Sequence, residues 1–489
     1  MAFLNNNYDT GNIFKYFGGI VSIAALMYIT GGAGFVIVPA LTLIAIFKND
    51  VRMMCYWLAV ANCMLAGNSA LMPKDIVFSL SHRGMMVMAG AILTVKVFGR
   101  RTHFAVAPLL GILPYMIYII IPSSVGWSPI VSYLKIALFL TVFLAYVGVS
   151  KLALSEHRDL DRDMREIVLS MSIFFLVGSV LLIPFPHISY MGAEEMLNSP
   201  SDVVSLYKGM TWHSQTLSPL VSSLCVFLLS DLLFSIKRVD KLYMVLILIC
   251  PFLVVKTASR TGMGALIVGI AFVMLQFRRM RSAPITWKRK VSSFFMFAAI
   301  GLSILILILP STQSAVFRYV LKWDLSSKIR ADDVSIEKVL VTRQKLMDES
   351  LRNWSEKPLL GNGFQVSEGM RNTQHNGILS YLSAPIEKGV WVTAVLEEGG
   401  VIGLILFCVF WISAVFVLAH RRCCMPAAIL LTLVAINLGE FSFFSMTSEG
   451  GLIWSLVFTA AVIDGTNLNK ERSFKAWQTK ANARVLNGF

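Results

Sequence analysis

Residues 391–419 read WVTAVLEEGGVIGLILFCVFWISAVFVLA, an apolar run whose only charged residues are Glu397 and Glu398. A run of this length predicts a membrane-spanning helix, because about 20 apolar residues cross the hydrocarbon core of a bilayer. Similar runs recur throughout the 489 residues, of which 56% are hydrophobic and 15% charged, with a mean hydropathy of +0.69. This composition is typical of a polytopic membrane protein rather than of a large soluble one.

The apolar runs predict an all-α fold, a polytopic membrane helix bundle of about 14 transmembrane helices with one large, partly helical external loop. The predicted spans are 14–31, 34–47, 53–70, 84–98, 104–121, 129–150, 167–185, 217–235, 242–257, 261–276, 292–310, 391–419, 426–445 and 451–463. The first run has no small-residue cleavage site before the second begins. We therefore expect a retained helix and not a removed signal peptide.

Lys and Arg residues fall in alternate connections between these runs. They include Arg100 with Arg101, Arg278 with Arg279, Arg421 with Arg422, and the tail from Lys470 to Arg484. Because positively charged connections remain in the cytoplasm, this side and both termini are predicted to be cytoplasmic. The segments 185–216, 256–261 and 311–390 then share the opposite face. This topology accounts for the net charge of +15 without a nucleic-acid partner.

The predicted spans and loops divide the chain into five regions. These are an N-terminal transmembrane bundle (1–200), a core transmembrane segment (201–310), the external loop (311–390), C-terminal transmembrane helices (391–464) and a basic cytoplasmic tail (465–489). Within the external loop, apolar residues at nearly helical spacing predict a helix over 334–353. We expect it to end before Pro358 and the Gly361-Asn362-Gly363 turn.

Several kinds of site are excluded by the sequence. The seven cysteines lie in apolar runs or beside a basic connection and show no CxxC spacing, so neither a disulfide framework nor a zinc site is predicted. Phosphate-loop, zincin and serine-hydrolase motifs are missing from the sequence. Asp159-Leu160-Asp161 has the D-x-D spacing of metal-holding nucleotide-sugar enzymes, but it lies in a basic connection without a surrounding soluble domain.

Arginines near the external face are the first candidates for a site. Arg260, in the sequence SRTG, joins two apolar runs with almost no loop. It is either a snorkelling anchor or a ligand for an anion, and the planar guanidinium suits a phosphate or pyrophosphate. Arg343 and Arg352 lie on the predicted loop helix with Lys345. Such a charge run is usually a solvated face.

Two histidines lie where external loops return to the membrane. His213 belongs to KGMTWHSQTL (residues 208–217), a stretch that on its own is more typical of an interfacial belt around Trp212 than of a site. His375 precedes Asn376 and Gly377 and is followed by an apolar stretch. A histidine at a membrane boundary beside arginines is able to accept a proton near neutral pH, although a lone histidine is more often structural.

Ionisable residues also occur within the apolar runs or at their ends: Lys96, Lys135, Asp231, Glu397, Glu398 and Glu440. Such groups are costly in a membrane and indicate a path, a pocket or mutual pairing. They are the best argument for a transporter or flippase.

Four stretches together resemble the O-antigen ligase and O-antigen or exopolysaccharide polymerase superfamily of bacterial inner-membrane proteins. They are KGMTWHSQTL, the SRTG of residues 259–262, the unit from Arg343 to Phe364 ending in EKPLLGNGF, and QHNGILSYL followed by LEEGGVIGLILF. The resemblance covers mainly residues 205–460. The chain departs from the family where His-Lys-Asn is replaced by His213-Ser214-Gln215, and where Met347 replaces a frequent Trp.

The resemblance implies a metal-independent glycosyltransferase of the GT-C type that works on the periplasmic face of the inner membrane without a cofactor. Its donor would be an undecaprenyl-pyrophosphate-linked glycan, and its acceptor a lipid-linked repeat unit for a polymerase or lipid A-core for a ligase. Membrane lipid and other polysaccharide export or chain-length proteins would be partners. The His-containing KGMTWHSQTL stretch is closer to exopolysaccharide polymerases, so a polymerase is favoured.

The resemblance also assigns roles to residues. Arg260 and Arg343 would neutralise the leaving pyrophosphate, and His375 would accept the proton of the attacking sugar hydroxyl. The residues expected to bind substrate are His213, Gln215, Asn376, Arg352 and Glu398.

Overall fold

The computed structural model describes residues 8–73, 76–156, 160–190, 207–236, 240–257, 259–279, 336–366, 368, 390–439, 443–444 and 449–486. These residues are mainly helical, and extended pairing among them is limited to two isolated bridges. Within the same part of the chain, eight helices are long and apolar enough to cross a membrane, and three shorter apolar helices accompany them. The protein is an all-α polytopic membrane protein, as the sequence predicts.

The helices overlap the predicted spans, although several of their ends differ. They are α1 (Thr10–Thr30), α2 (Gly34–Phe47), α3 (Val51–Ala66), α4 (Ile76–Lys96), α5 (Ala107–Ser124), α6 (Pro129–Glu156), α7 (Leu160–Leu181), α8 (Ser214–Ser230, continued to Ile236), α9 (Lys241–Lys256), α10 (Arg260–Arg279), α11 (Ile336–Glu356), α12 (Trp391–His420), α13 (Cys424–Asn437) and α14 (Glu449–Leu486). Each predicted span overlaps one of them, except 292–310, which lies outside the described residues.

Two of the described spans are interrupted, α5 by prolines and α12 by a glycine. Within α5 the chain forms three short pieces, Ala107–Ile112, Leu113–Tyr118 and Ile120–Ser124, each of which contains a proline. Proline removes a backbone donor and clashes with the preceding turn, so the helix restarts at each one. In α12 the chain kinks at Gly400, whose φ of 63° and ψ of −165° are far from helical values.

The connections between helices separate into two groups at opposite ends of the bundle. Basic connections contact one another: Arg52 lies 3.9 Å from Asp163, and Arg421 donates to the carbonyl of Phe104 at 3.0 Å. We call this the basic end. The segments 67–73, 125–128, 182–190, 207–213 and 357–366 meet at the other end, here named the polar-loop end. That the basic end faces the cytoplasm stays a prediction.

Helix α8 is the central element of the bundle. It packs against α9, α10, α13 and α14, and 89% of its apolar, membrane-spanning stretch is buried. Near the basic end its Asp231 pairs with Nε of Arg165 at 3.0 Å and accepts a hydrogen bond from the Tyr243 hydroxyl at 2.6 Å. Mutual pairing therefore explains this acidic residue, one of the groups that suggested a transport path.

Candidate functional site

Helices α8 and α10 run parallel in very close contact, with both first residues at the polar-loop end. A Cβ on Gly262 would lie 1.7 Å from Oγ of Ser218, and one on Gly269 would lie 2.4 Å from Val226. Ser222 donates a hydrogen bond through Oγ to the carbonyl of Gly262 at 2.8 Å. Glycine at these positions lets the two helices approach closely.

This packing places Arg260 beside the beginning of α8. Arg260 is the first residue of α10, two positions before Gly262, and α8 begins at Ser214. Each helix N-terminus carries a partial positive charge of about half a unit. Two such ends next to a guanidinium form a positive region that suits a phosphate or pyrophosphate.

His213 is the N-cap residue of α8. Its Nδ1 accepts the backbone N–H of Gln215 at 3.0 Å, and the Thr211 hydroxyl donates to its carbonyl at 2.8 Å. In the neutral imidazole the ring proton is then on Nε2, which becomes the donor. Gln215 lies in the first turn of α8, partly exposed. Both predicted substrate-binding residues are thus close to Arg260's helix end.

Asn68, a residue that the sequence analysis did not single out, fixes the loop before His213. Its Nδ2 donates to the carbonyls of Gly209 at 2.7 Å and Ile188 at 2.9 Å, and its backbone N–H donates to Met210 at 2.9 Å. Asn68 is fully buried. Nearby, burial lowers the pKa of Lys208 below its ordinary value. In the sequence, the signal for this role is a polar Asn near the end of an apolar run.

The glycine-rich segment after α11 pairs with the kink of α12 through backbone hydrogen bonds. Asn362 donates to the carbonyl of Glu397 at 2.7 Å, and Gly363 to that of Glu398 at 3.0 Å. In return Val401 donates to the carbonyl of Pro358 at 2.9 Å. Two of the motifs quoted from the sequence therefore form one unit at the polar-loop end.

Two glycines make this pairing possible. A Cβ on Gly400 would lie 2.1 Å from the carbonyl oxygen of Leu359, and one on Gly361 would lie 2.5 Å from the Glu398 backbone. Both have positive φ values, 63° and 76°. Larger residues are excluded by space and by backbone conformation. The side chain of Glu398, a predicted substrate-binding residue, is fully buried beside this contact.

Helix α11 is fixed to the same unit by two asparagines. Nδ2 of Asn353 donates to Oε1 of Glu397 at 3.2 Å, and Nδ2 of Asn362 donates to the carbonyl of Asn353 at 2.7 Å. Asn353 and Ser350 are both buried, although α11 is polar overall. The predicted loop helix thus has a face that packs on α12, and is not solvated all round.

Arg343 and Arg352 lie nine positions apart on α11. Arg352 is exposed and pairs with Glu368 at 3.0 Å, which makes it the weaker candidate for substrate binding. Arg343 precedes the buried Ser350 by seven positions. The helical backbone therefore carries Arg343 about two turns before Ser350.

Residues 362–366 insert between α5 and α6. The Ser123 hydroxyl accepts the backbone N–H of Phe364 at 3.1 Å, and the Ser132 hydroxyl donates to its carbonyl at 3.0 Å. Lys135 donates through Nζ to the carbonyl of Gln365 at 3.0 Å. Lys135, another residue that suggested a transporter, thus takes part in holding this segment.

The Arg260 region and the glycine-rich segment are linked by the chain after α13. Gly439 lies against Thr261, where an added Cβ would be 2.1 Å from Oγ1. Phe444 packs on Phe364 with 4.9 Å between ring centroids. Gly439 and Phe444 are five positions apart, a stretch of chain that spans at most about 18 Å. The Arg260 region and the glycine-rich segment are therefore separated by a distance of about that size.

Some predicted residues are not placed by the structure. His375, Asn376 and Glu440 lie outside the described residues, and for Arg343 only the helical backbone is described.

Of the two acidic residues in the D-x-D segment, Asp161 lies within the described residues, and basic side chains surround it. Asp161 pairs with Arg165 at 3.1 Å and with Lys470 at 2.9 Å, and Asp163 lies near Arg52. These carboxylates are therefore neutralised by basic side chains. Among the described residues, no group of three or more His, Cys, Asp or Glu side chains is arranged to hold a metal ion.

Comparisons with known proteins bear on about a third of the chain, most of it in the second half. Residues 242–408 match a family model described as O-antigen ligase. The matched segment contains Arg260, Arg343 and Glu398, whereas His213 and Gln215 precede it. A search of curated proteins found no match to the chain. Over residues 242–408 the chain is thus similar to the O-antigen ligases, and its resemblance to the O-antigen ligase and polymerase superfamily is confirmed.

Proposed function

We propose that this protein is a glycosyltransferase that takes glycan from undecaprenyl pyrophosphate and transfers it to an acceptor at the polar-loop end of the bundle. The acceptor that we favour is another lipid-linked repeat unit, so that the reaction polymerises a surface polysaccharide. The match to O-antigen ligases supports ligase- or polymerase-type activity on a lipid-linked glycan. We further propose that the polar-loop end faces the periplasm, which agrees with the distribution of Lys and Arg.

The observation that carries this proposal is the pairing of residues 358–363 with the kink of α12. It attaches the polar helix α11, and with it the backbone of Arg343, to the membrane helices. The short chain from Gly439 to Phe444 then limits the distance between the glycine-rich segment and Arg260, the first residue of α10. This arrangement supports a site in which arginines that are far apart in sequence act on one substrate.

In the proposed reaction, a hydroxyl oxygen of the acceptor sugar attacks the anomeric carbon of the donor. The bond from that carbon to the phosphate oxygen breaks, and undecaprenyl pyrophosphate leaves with the electron pair. His375 takes the hydroxyl proton as general base. Arg260 and Arg343 neutralise the charge that develops on the leaving group, which is the largest electrostatic demand of the reaction.

The substrate-binding roles have unequal support. Nε2–H of His213 is available as a donor because Nδ1 caps α8. Gln215 shares that turn, and Glu398 is buried at the kink. Asn376 is proposed on its sequence position alone, next to His375. Arg352 would have to leave its ion pair with Glu368 to reach substrate.

A ligase that transfers glycan to lipid A-core remains the second candidate, because the matched family is described by that activity. The transporter has lost part of its support. Asp231 forms a buried ion pair with Arg165, and Lys135 binds a backbone carbonyl. Both groups therefore have structural roles that do not require a translocation path.

The test is a transfer assay with purified protein in detergent, where no membrane gradient exists. The donor is a defined undecaprenyl-pyrophosphate-linked repeat unit, offered either alone or with lipid A-core. Products longer than one repeat indicate a polymerase, and glycan on lipid A-core indicates a ligase. If wild-type protein forms neither product while moving lipid-linked glycan across vesicles, the enzyme proposal is wrong.

The His375→Ala variant tests the proposed base in the same assay. Transfer should fall by about 10²- to 10⁴-fold, the usual effect of removing a positioned general base. Donor binding and the amount of protein in the membrane should change little. Glu440→Ala serves as the comparison, because a transporter would depend on an acidic residue at the end of an apolar run more than on His375. Full transfer by the His375→Ala variant would overturn the catalytic assignment.

A further inference from the structure

A lateral groove of about 650 Å³ lies between α10 and α12, with α13 as its floor. Phe272 lines one wall, Val415 and Phe416 the other, and Val434 the floor. Its volume is in the range of pockets that hold a ligand of drug size. The groove is open at the surface of the described helices, where Phe416 is 69% exposed.

The groove has a charged end and an apolar body. Arg279 is the last residue of α10 and His420 the last of α12, and both side chains line the groove at the basic end. Both are exposed, and the His420 ring stacks on Phe416 with 6.2 Å between centroids. From Phe272 to Arg279 the groove follows α10 for about 10 Å. This polarity matches a lipid with an anionic headgroup and an apolar chain.

The groove is separate from the candidate site. Arg260 and Arg279 begin and end the same helix, nineteen positions apart. At 1.5 Å per residue their backbones are separated by about 28 Å, close to the thickness of the hydrocarbon core. A phosphate at Arg279 therefore lies at the opposite membrane surface from one at Arg260. A lipid held in this groove is not the glycan donor in its reacting position.

We propose that the groove is a binding site for an anionic glycerophospholipid of the leaflet at the basic end. The lipid phosphate contacts the guanidinium of Arg279 and an imidazole N–H of His420. One acyl chain lies along Phe272, Val415 and Val434. Basic pockets between transmembrane helices at the cytoplasmic surface are known to select anionic lipids in this way. The proposal does not depend on the glycosyltransferase function.

The experiment measures lipid binding to the purified full-length protein by native mass spectrometry in detergent. Phosphatidylglycerol is compared with phosphatidylcholine carrying the same acyl chains. The wild-type protein should bind phosphatidylglycerol more tightly. In the double variant Arg279→Gln with His420→Gln, we expect phosphatidylglycerol affinity to fall about tenfold or more, to the level of phosphatidylcholine.

Arg278→Gln is the matched control, because Arg278 is exposed and adjacent but does not line the groove. It removes the same charge and should change affinity less than about twofold. Equal losses in the Arg278 and Arg279 variants would indicate diffuse electrostatics and overturn the site. Equal binding of the two lipids by wild-type protein would do the same.

Val415→Trp tests the apolar body of the groove while both cationic side chains stay in place. A bulky side chain there should reduce phosphatidylglycerol binding about tenfold in a protein that still elutes as a single species. Unchanged binding in this variant would overturn the proposal. Displacement of phosphatidylglycerol by a lower concentration of undecaprenyl phosphate would identify a polyprenyl site instead and also contradict it.

Discussion

Asn353 of α11 donates a hydrogen bond through Nδ2 to Oε1 of Glu397 in α12, at 3.2 Å, and both residues are buried. The bond joins a polar helix to a membrane helix 44 positions later in the chain. Together with the backbone pairing of residues 358–363, it makes the kink of α12 a fixed attachment point. The position of α11 on the membrane helices therefore depends on the conformation of this kink.

The first prediction concerns Gly400, which has φ 63° and ψ −165°. This backbone region is essentially restricted to glycine and costs other residues about 1–3 kcal/mol. Gly400→Ala also places a Cβ 2.1 Å from the Leu359 carbonyl oxygen. We expect a loss of at least about 2 kcal/mol in the free energy of unfolding, measured by denaturant titration, and little remaining transfer.

Gly403→Ala is the control in the same helix. Its added Cβ would meet the nearest atom, in Tyr118, at 3.4 Å, an ordinary van der Waals contact. The change should alter the free energy of unfolding by less than about 0.5 kcal/mol. A wild-type-like Gly400→Ala protein would show that the kink is not needed.

The second prediction separates the two arginines of α11. Arg343→Ala should abolish transfer, and Arg343→Lys should restore little, because an ammonium does not reproduce the bidentate guanidinium contact with pyrophosphate. Arg352→Ala should reduce transfer far less, because Arg352 is exposed and paired with Glu368. Loss of that exposed ion pair should lower the stability of the protein by less than about 1 kcal/mol. The measurement is kcat/KM at matched protein levels. Near-normal transfer by Arg343→Lys would mean that charge alone is sufficient.

The third prediction concerns the buried ion pair between Arg165 and Asp231. Arg165→Met leaves a buried carboxylate without its main partner and should destabilise the protein by about 3–5 kcal/mol. Adding Asp231→Asn should recover most of that loss, because the hydrogen bond with the Tyr243 hydroxyl can persist. Unfolding titrations of the single and double variants test this coupling.

The stabilised double variant also distinguishes a structural pair from a transport path. We expect it to retain transfer within about threefold, because the pair lies at the basic end, away from the candidate site. If the double variant folds normally but loses transfer completely, Asp231 has a role beyond stability.

The fourth prediction concerns the orientation of the two ends. Ser124 and Ser473 are exposed serines at the polar-loop end and the basic end respectively. In a protein whose native cysteines have been replaced, Ser124→Cys should react with a membrane-impermeant thiol reagent in cells with a permeabilised outer membrane. Ser473→Cys should react only after lysis, because its end carries the basic connections. The reverse pattern would invert the topology.

Much of this fold was predictable, because hydropathy alone determines where a chain can cross a bilayer. The predicted span 34–47 has the same limits as α2, and 391–419 differs from α12 by one residue. By contrast, α14 continues as a helix to Leu486, far beyond the predicted end at 463. Polar residues after a span give no apolar signal, so hydropathy does not report this extension.

The site was only partly predictable, because its connections join residues that are distant in sequence. Asn68 donates a hydrogen bond to Gly209, 141 positions away, and no local sequence pattern predicts such a bond. The pairing of Glu397 with Asn353 is equally invisible to periodicity, which reports one face of one helix. The sequence did identify the glycine-rich segment and the Glu-Glu-Gly-Gly stretch separately. The contact between these two stretches is visible only in the three-dimensional structure.

The last prediction concerns His213, which has two separable contributions. Nδ1 caps α8 by accepting the N–H of Gln215, whereas Nε2–H is the donor that we propose for substrate. Asparagine is among the best N-cap residues, so His213→Asn should keep the cap and the stability of the protein. It lacks the second ring nitrogen, so we expect KM for the lipid-linked donor to rise about tenfold, the effect of one lost hydrogen bond to a charged group. His213→Ala should lose the cap as well, at a cost of about 1 kcal/mol in unfolding. Kinetics and unfolding of both variants decide the question: if His213→Asn restores stability and KM together, His213 is a helix cap and does not contact substrate.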